Sequence, residues 1–450
     1  MAKEHLLKKH KDTDYKKKAD AFCEDYKAFL TTAKTERLCV EYFTEKAKAN
    51  GFTDVLASQG VKAGDKVYYV NKNRSLVLAV IGEEDIENGI NLVAAHIDSP
   101  RLDLKPAPVT EEGGFSYLRT HYYGGIKKYQ WVATPLALYG VVVKKNGETV
   151  KIAIGDGEND PIFMITDLLP HLASKQMGQK MTEGIPGEKL MVLSGSNPDL
   201  DAESEEVKGA LLKILEEKYS ISEEDFYSAE IEVVPQGAAR DVGFDRSMVA
   251  SYGHDDRVCA YTAFQALLET GIPKKTAVVL LADREEVGSM GNSGMQSRFL
   301  EYFLEEVNPS ARINKVMANT VCLSSDVAAA FDPMYADVYE KQNSPIFGCG
   351  LTLLRYTGSR GKGGSSEASA ELVAYIRNIF DANNISYQFA ELGKVDEGGG
   401  GTVAQYIANL GADVIDAGVA LLSMHAPYEI AHKMDVYEAY RAYIAFMTAR

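Results

Sequence analysis

Long apolar runs are absent from this sequence of 450 residues, in which no stretch reaches the roughly eighteen consecutive apolar residues of a membrane-spanning helix. An excess of basic residues is absent too, because 48 Lys and Arg stand against 64 Asp and Glu, for a formal net charge of −16. Nucleic acids and anionic membrane surfaces bind clustered Lys and Arg. The sequence therefore argues against both as main partners.

Cysteine is scarce and unpatterned. The five cysteines are odd in number and no two of them form a CxxC pair, so thiols in a reducing compartment are the simplest interpretation. The basic run within residues 8–18 is broken by acidic residues and is not followed by the apolar core of a signal peptide. We therefore expect a cytoplasmic protein.

The composition is that of an ordinary globular protein, with 46% hydrophobic and 25% charged residues. Before residue 100 and after residue 240, strand-like apolar runs alternate with helical patterns, which is typical of a mostly parallel sheet flanked by helices. The predicted strands of this part are residues 66–70, 75–81, 91–95, 277–282, 315–322 and 418–422, and the predicted helices include 258–268 and 367–380.

The middle of the chain has a different pattern. Short alternating runs such as residues 139–143 and 150–154 are separated by Gly, Asn and Pro, which indicates antiparallel strands. We therefore predict an α/β fold in which a discontinuous domain of residues 1–101 and 241–450 is interrupted by an inserted β-rich domain of residues 102–240.

Potential metal ligands cluster where the predicted strands end. Ligands of open α/β sheets bind at the carboxyl ends of the strands, so side chains that follow different strands can meet there. The candidates are His96 and Asp98 after residues 91–95, Asp255 and Asp256 before the helix 258–268, Glu285 and Glu286 after 277–282, Asp326 after 315–322, and His425 after 418–422. Two histidines with several carboxylates suit Zn²⁺ better than Ca²⁺ or Mg²⁺.

Each candidate taken alone also has a structural interpretation. An Asp pair before a helix is often an N-cap, a lone His is often a hydrogen-bonded structural residue, and an acidic pair such as Glu285 and Glu286 is often a solvated turn. Together, the five positions favour a metal site. Asp98, two residues beyond His96, can accept the second imidazole N–H. Adjacent glutamates cannot both point at one metal, so we expect one to be a ligand and the other a general base.

These motifs carry a resemblance. The segments are residues 96–100 (His-Ile-Asp-Ser-Pro), Asp255 ahead of an Ala-Phe-Gln-Ala-Leu helix, residues 283–289 (Asp-Arg-Glu-Glu-Val-Gly-Ser), residues 324–328 (Ser-Ser-Asp-Val-Ala) and residues 423–425 (Ser-Met-His). In this order they resemble the aspartyl aminopeptidase (vacuolar aminopeptidase I) family of dinuclear zinc exopeptidases. The resemblance implies an α/β catalytic domain interrupted by a β-rich dimerisation domain.

The resemblance also implies an activity, the removal of the amino-terminal residue from peptides with a free α-amine. Glu285 would take the proton of a water shared by two divalent cations, for which zinc is favoured. The implied ligands are His96, Asp255 and Asp326 for one metal and Asp255, Glu286 and His425 for the other, with Asp255 as the bridge.

Three further residues have roles implied by the same resemblance. His171 would reach the active site of a neighbouring subunit and stabilise the oxyanion, although a surface histidine at a helix start is the structural alternative. Arg360 and Lys362, in a glycine-rich loop, would contact an acidic substrate side chain. The four glycines at residues 398–401 depart from the family pattern and argue for a less selective pocket. The family forms dimers and closed dodecamers, so we expect self-association.

Two other functions stay open from the sequence. Another zinc amidohydrolase, such as a carboxypeptidase or a deacylase, would share the ligand set, and only an aminopeptidase requires a free α-amine on its substrate. A non-catalytic assembly protein that keeps the metal for stability would be expected to lose the base. Glu285 is present, so we disfavour this second alternative.

Overall fold

The computed structural model describes residues 3–58 and 60–449. Its α-helices are α1 Leu6–Lys9, α2 Tyr15–Thr32, α3 Glu36–Ala49, α4 Ser174–Met177, α5 Met181–Gly184, α6 Glu206–Tyr219, α7 His254–Glu269, α8 Phe299–Val307, α9 Ile313–Ala318, α10 Ala370–Ala382, α11 Ala404–Ala408 and α12 Lys433–Met447. Among the described residues, no helix combines the length and the apolar character needed to cross a membrane.

The strands are short and numerous. They are β1 Thr53–Asp54, β2 Lys66–Asn71, β3 Ser75–Val80, β4 Asn91–His96, β5 Arg101–Glu112, β6 Phe115–Tyr123, β7 Leu136–Val143, β8 Thr149–Ile154, β9 Met191–Gly195, β10 Ala229–Pro235, β11 Arg240–Val242, β12 Met248–Ser251, β13 Ala277–Ala282, β14 Val321–Ser324, β15 Ala328–Ala329, β16 Leu351–Leu354, β17 Gly358–Ser359, β18 Tyr387–Phe389, β19 Gly399–Gly400, β20 Asp413–Gly418, β21 Ala420–Leu422 and β22 Glu429–His432.

The chain divides into two compact units. The first contains Met1–Ser99, Ala239–Met424 and Glu429–Arg450, and the second contains Pro100–Ala238 and His425–Tyr428. The second unit is built on a six-stranded antiparallel sheet with the order β8-β7-β10-β5-β6-β9.

The first unit is built on a nine-stranded sheet with the order β1-β2-β3-β13-β4-β14-β20-β16-β18. Its centre, from β13 through β4 and β14 to β20, is parallel. Antiparallel pairs join β2 to β3, β3 to β13 and β20 to β16. The sheet is therefore mixed with a parallel centre, and the predicted α/β class is confirmed.

Both faces of the nine-stranded sheet are buried, which explains why its central strands are uninterrupted apolar runs. Successive residues of a strand point to opposite faces. In β4, Val93 and Ala95 belong to one apolar core, whereas Leu92 and Ala94 belong to the other. The first core contains residues of α2, α3, α7, α10 and α12, and the second contains residues of α8, α9 and α11. The unit therefore has three layers, with the sheet in the middle.

Two predicted strands were wrong in their bounds. Residues 313–318 form helix α9, and the strand begins only at Val321. A short apolar run does not by itself distinguish a buried helix from a buried strand, and here Val316 and Met317 are the buried residues of the helix. Residues 418–422 are the end of β20 followed by β21, which belongs to a separate five-stranded sheet with the order β11-β12-β22-β21-β15.

The change of sheet occurs at Gly418, where two backbone segments lie very close together. A Cβ atom at Gly418 would lie 1.7 Å from the carbonyl oxygen of Asp326. Only glycine can be accommodated at such a short distance. The end of β20 therefore lies directly against Asp326, two residues beyond β14.

Candidate metal centre

Three of the predicted ligand positions follow adjacent parallel strands. In the sheet β4 lies between β13 and β14. His96 is the last residue of β4, Glu285 and Glu286 lie in a short 3-10 turn just after β13, and Asp326 lies two residues beyond β14. Parallel neighbours end at the same edge of a sheet, so the topology brings these side chains to one place.

His96 lies at the centre of the cluster and is buried. Its Nε2 atom is 3.1 Å from Asp255 Oδ1 and 3.9 Å from Asp326 Oδ1. Its Nδ1 atom faces Asp98, 3.0 Å from the carbonyl oxygen and 3.2 Å from Oδ1 of the carboxylate. The contacts at Nδ1 therefore fix the orientation of the ring, and Nε2 points at two carboxylates. Metal-binding histidines have this arrangement, in which a partner of the second ring nitrogen sets the tautomer.

Asp255 and Asp256 lie at the start of α7, where the backbone is not yet helical. The N–H of Asp255 donates to Glu429 Oε2 at 2.9 Å, and the hydroxyl of Ser99 donates to the Asp255 carbonyl at 2.6 Å. The N–H of His96 donates to Asp256 Oδ2 at 3.3 Å. The two aspartates therefore connect the start of α7 to the end of β4.

The turn that carries Glu285 and Glu286 is held by Asp98. The N–H of Glu285 donates to Asp98 Oδ1 at 3.1 Å, and the N–H of Glu286 donates to Asp98 Oδ2 at 3.2 Å. Both glutamates are half-buried, whereas Asp98 is fully buried. One carboxylate thus orients a histidine ring and the acidic turn beside it.

These side chains form two sets that could hold a cation in the first unit. Within each set the ligand atoms all lie within 4.8 Å of one another, and the sets are His96 with Asp256 and Asp326, and His96 with Glu285 and Glu286. In a tetrahedral zinc site with bonds of about 2.0–2.2 Å, neighbouring ligand atoms are roughly 3.3–3.6 Å apart. The distances of 3.1 and 3.9 Å from His96 Nε2 to Asp255 and Asp326 bracket that spacing.

The electrostatics of the cluster also fit a cation. Burial raises the pKa of the Asp326 carboxyl well above its ordinary value, and Glu285 raises it further, against the opposing effect of His96. Burial and then Asp326 raise the pKa of Asp256 in the same way. Burial alone would lower the pKa of His96, but hydrogen bonds to Asp255 and Asp98 outweigh it and raise this pKa well above its usual range. Burial and mutual repulsion disfavour the charged form of these acids, and a bound divalent cation would stabilise that charged form.

His425 follows β21 and has a backbone φ of 64°. With the three residues after it, His425 belongs to the second unit. Its Nδ1 atom lies 2.8 Å from the carbonyl oxygen of Gly125 in that unit, which fixes the orientation of the ring.

His171 lies in a 3-10 turn, Pro170–Leu172, of the second unit and is exposed. Large apolar side chains in the same segment are exposed as well. They are Leu168 (52%), Leu169 (51%), Leu172 (69%), Met177 (75%) and Met181 (66%). A cavity of about 640 Å³, lined in part by Leu168 and Leu172, lies beside them. Exposed apolar residues in such number mark a surface for association.

Arg360 and Lys362 lie in an exposed hairpin that follows β17 and is closed by two backbone hydrogen bonds between Ser359 and Gly363. The strand β17 pairs antiparallel with β19, which comes 40 residues later in the chain. The ammonium of Lys362 pairs with Glu367 at 3.1 Å and lies 3.7 Å from the centre of the Tyr356 ring. A cavity of about 270 Å³ is lined by both basic residues and by residues 391–396. The hairpin therefore borders a small polar pocket.

Two residues of the cluster were missed as contributors by the sequence analysis. Glu429, the first residue of β22, holds the N–H of Asp255, but one glutamate at a strand start gives no sequence signal. Asp256 was one of the candidates, but it was given no role at the metal, whereas its carboxylate faces His96 and Asp326. The adjacent aspartates in the sequence were a signal of this second contact, because two neighbouring carboxylates can have different partners.

The class of the protein follows from comparison with known families. The Aminopeptidase I zinc metalloprotease (M18) family matches residues 29–447. The chain belongs to this family, and the resemblance drawn from its motifs is confirmed. It is therefore a zinc-dependent aminopeptidase, a hydrolase of peptide amino termini, and zinc is confirmed as the metal of the family.

Individual relatives match this chain along nearly its whole length. The "Probable M18 family aminopeptidase 1" of Clostridium acetobutylicum is 49% identical over 459 residues, covering 98% of this chain and 99% of the relative. The crystal structure of the M18 aminopeptidase of Thermotoga maritima has a TM-score of 0.96 at 43% identity, and all of both chains is covered. The dodecamer of mApe1 from Saccharomyces cerevisiae shares the fold, with a TM-score of 0.77 at 20% identity and 97% of both chains covered.

Proposed function

We propose that Glu285 is the general base of this aminopeptidase. The observation that carries the proposal is the pair of hydrogen bonds that the Asp98 carboxylate accepts from the backbone N–H groups of Glu285 and Glu286. With the turn held in this way, a carboxylate oxygen of each glutamate lies within 4.8 Å of a ring nitrogen of His96. In this assignment Glu286 is a ligand. The proposed ligand sets are His96, Asp255 and Asp326 for one zinc, and Asp255, Glu286 and His425 for the other.

The first set has two alternatives for its aspartate. Asp255 Oδ1 is the nearer carboxylate oxygen to His96 Nε2, at 3.1 Å, whereas Asp256 shares the close grouping with Asp326. We assign the metal to Asp255, because the Asp256 carboxylate already accepts the N–H of His96 and thereby supports the strand end.

The protein groups have distinct parts in the reaction. When bound, a zinc pair polarises the scissile carbonyl and lowers the pKa of the attacking water. Glu285 accepts a proton from that water as it attacks the carbonyl carbon. Glu285 then returns the proton to the nitrogen of the leaving amine as the peptide bond breaks. Throughout the reaction, Asp98 holds the His96 ring and the backbone of Glu285 in fixed positions relative to each other.

The requirement for a free α-amine separates this function from that of a deacylase or a carboxypeptidase. A positively charged amine is attracted to a site rich in carboxylates, so the enzyme acts at the first peptide bond. The test compares an aminoacyl-amide with its N-acetylated form, before and after chelation and zinc restoration. Zinc-dependent hydrolysis of the free amine alone is expected, and equal rates on both substrates would contradict the proposal.

An acidic amino-terminal residue is the proposed preferred substrate. Arg360 supplies the positive charge in the pocket beside the hairpin, because Lys362 is already paired with Glu367. Charge reversal by Arg360→Glu should lower the rate on an amino-terminal Asp relative to Leu. Charge reversal of Lys362 should change this ratio less, and an unchanged ratio in both variants would mean that neither residue contacts the substrate side chain.

Self-association is proposed through the second unit. Its exposed apolar segment around His171 fits a second copy of this chain, because a soluble surface rarely carries so many large apolar side chains without a partner. The dodecamer of mApe1 from Saccharomyces cerevisiae supports assembly beyond a dimer, with a dodecamer as the proposed form. In such an assembly His171 would stabilise the oxyanion in a neighbouring active site.

A cytoplasmic location is proposed from the cysteines. All five are buried thiols, as expected for a protein kept in a reducing compartment. Titration of the unfolded chain without reductant should detect five thiols, and a lower number would indicate oxidation.

A further inference from the structure

The hairpin beside the substrate pocket depends on glycine for its geometry. In the pairing of β17 with β19, Gly358 lies opposite Gly400 and Ser359 opposite Gly399. A Cβ atom at Gly399 would lie 2.6 Å from Cα of Ser359, and one at Gly398 would lie 2.0 Å from the carbonyl oxygen of Leu392. The glycine run is therefore required by close backbone contact, which the sequence pattern did not reveal.

The same glycines leave the β19 segment without side-chain contacts of its own. Glycine loses more conformational freedom on folding than any other residue, and residues 398–401 have no side chains with which to hold their position. The first side chain after the run is that of Thr402. Its hydroxyl donates to Asp416 Oδ1 at 2.7 Å.

Asp416 connects this point to the strand that precedes a proposed zinc ligand. The hydroxyl of Ser324 donates to the same Asp416 oxygen at 2.8 Å. Ser324 and Asp416 are paired residues of the parallel strands β14 and β20, so their side chains share a face of the sheet. Asp326 follows Ser324 by two residues. The chain of contacts therefore runs from the glycine loop to the end of β14.

The environment of Asp416 is unusual for a carboxylate. The residue is only 3% exposed, and burial raises the pKa of its carboxyl to about 6, although the hydroxyls of Thr402 and Ser324 lower it. In the described parts of the chain, the recorded side-chain partners of Asp416 are these two hydroxyls and no cation. A buried carboxylate without a cation is costly to fold, so its position calls for a specific role.

We propose that Asp416 is a positioning residue. Through Thr402 it fixes the glycine segment of β19, and with it the hairpin that pairs with β19, against β14, and so controls discrimination among amino-terminal side chains. The inference rests on the proposed role of Arg360 and Lys362 in contacting that side chain. Because β19 pairs with β17 at the base of the hairpin that carries both basic residues, movement of β19 displaces their charges relative to the proposed metal-binding edge of the sheet.

The test uses four variants of the full-length, zinc-loaded enzyme. Asp416→Ala removes the acceptor, Asp416→Asn keeps a carbonyl oxygen in its place, and Thr402→Val removes the donor on the hairpin side. The matched control is Thr448→Val, which removes an exposed hydroxyl that bonds only the local carbonyl of Ile444. Zinc content, the ratio of kcat/KM for amino-terminal Asp and Leu substrates, and the rate of tryptic cleavage at Arg360 and Lys362 are measured for each.

Loss of one hydrogen bond of about 1 kcal/mol changes an opening equilibrium roughly fivefold. Asp416→Ala and Thr402→Val should therefore increase cleavage of the hairpin by about that factor and change the Asp-to-Leu ratio, with zinc content unchanged. Asp416→Asn and Thr448→Val should remain close to the parent enzyme. If Asp416→Ala fails to fold, Thr402→Val carries the same test from the hairpin side.

Unchanged cleavage and an unchanged ratio in Thr402→Val would overturn the inference. Faster cleavage with an unchanged ratio would overturn its specificity part. The Arg360→Glu variant then distinguishes the cause. If that variant changes the ratio while the anchor variants do not, Asp416 does not control specificity. If no variant changes the ratio, the proposed role of the hairpin in substrate binding is itself wrong.

Discussion

Asp98 accepts the backbone N–H of Glu285 at 3.1 Å through one carboxylate oxygen, and the other oxygen accepts the next N–H of the turn at 3.2 Å. The first oxygen also lies 3.2 Å from Nδ1 of His96. A neutral amide in this position can accept with only one of its two terminal atoms. The role of Asp98 is therefore more than fixing a tautomer, because it aligns the proposed base with a proposed metal ligand.

Asp98→Asn should weaken the site without unfolding the protein. The amide nitrogen of the new side chain cannot accept an N–H, so either the turn or the His96 ring loses its partner. Loss of such a supporting group typically lowers metal affinity about 10–100-fold. Zinc affinity measured by chelator competition checks this, and Asp12→Asn, at a side chain 84% exposed, is the control. Unchanged affinity and turnover would remove Asp98 from the site.

Glu285→Gln should abolish most turnover while zinc content stays near normal. The substitution keeps the shape of the side chain but removes the proton acceptor, and a general base typically contributes about 10²–10⁴-fold. Turnover and zinc content are measured on the same samples.

Asp255→Ala is the contrasting variant, and it should lose zinc because the proposed bridge serves both ions. The measurement is zinc content after dialysis, compared with Glu285→Gln. Equal loss of zinc from the two variants would mean that Glu285 is a ligand and not the base.

The stability of the fold should depend on pH through Asp435, a buried residue of α12. Burial raises the pKa of this carboxyl to about 7, although the N–H groups of Gly350 and Gly348 lower it. The ordinary value is 3.8, so between these two values the folded state binds more protons than the unfolded state. The contribution of Asp435 to stability is therefore greatest at low pH and decreases as pH rises from about 4 to about 7.

Asp435→Asn removes this titration. The free energy of unfolding of the parent, relative to that of the variant, should decrease as pH rises from 4 to 7, by at most about 1.4 kcal/mol per pH unit. Denaturant unfolding of both proteins at each pH measures the difference. Parallel pH profiles would show that Asp435 has an ordinary pKa in the folded state.

Assembly should be sensitive to the apolar segment of the second unit. Leu172→Asp places a charge on a side chain that is 69% exposed in the single chain, so it should leave folding intact and weaken association. Light scattering across a dilution series, with zinc content and rates on the same samples, tests this. Dissociation should remove activity and leave zinc bound, whereas a fully active monomer would return His171 to a structural role.

The sequence predicted the α/β class and the relevant strand ends because the buried central strands are continuous apolar runs followed by polar residues. Residues 277–282 illustrate this, since the predicted and observed strand have the same bounds. Hydrophobicity reports burial but not the kind of element, which is why residues 315–318 were predicted as part of a strand although they belong to helix α9.

The rest of the site depends on contacts between distant parts of the chain. Glu429 and Asp255 are joined by one hydrogen bond across 174 positions, and no local pattern predicts such a pair. The glycines at residues 398–401 were interpreted as a departure from a family pattern. In the structure, two of them allow backbone contacts that a Cβ atom would prevent, and this requirement is visible only when both segments are in place.

The interruption of the first unit between Ser99 and Ala239 also has a consequence for biosynthesis. His96 leaves the ribosome well before Asp255, and Asp326 follows later still, although the three side chains meet in one cluster. Synthesis proceeds from the amino terminus at about 5–20 residues per second. A nascent chain that has not yet reached residue 255 holds His96 without its partner aspartate, so the proposed zinc site can be completed only after residues 100–238 have been translated.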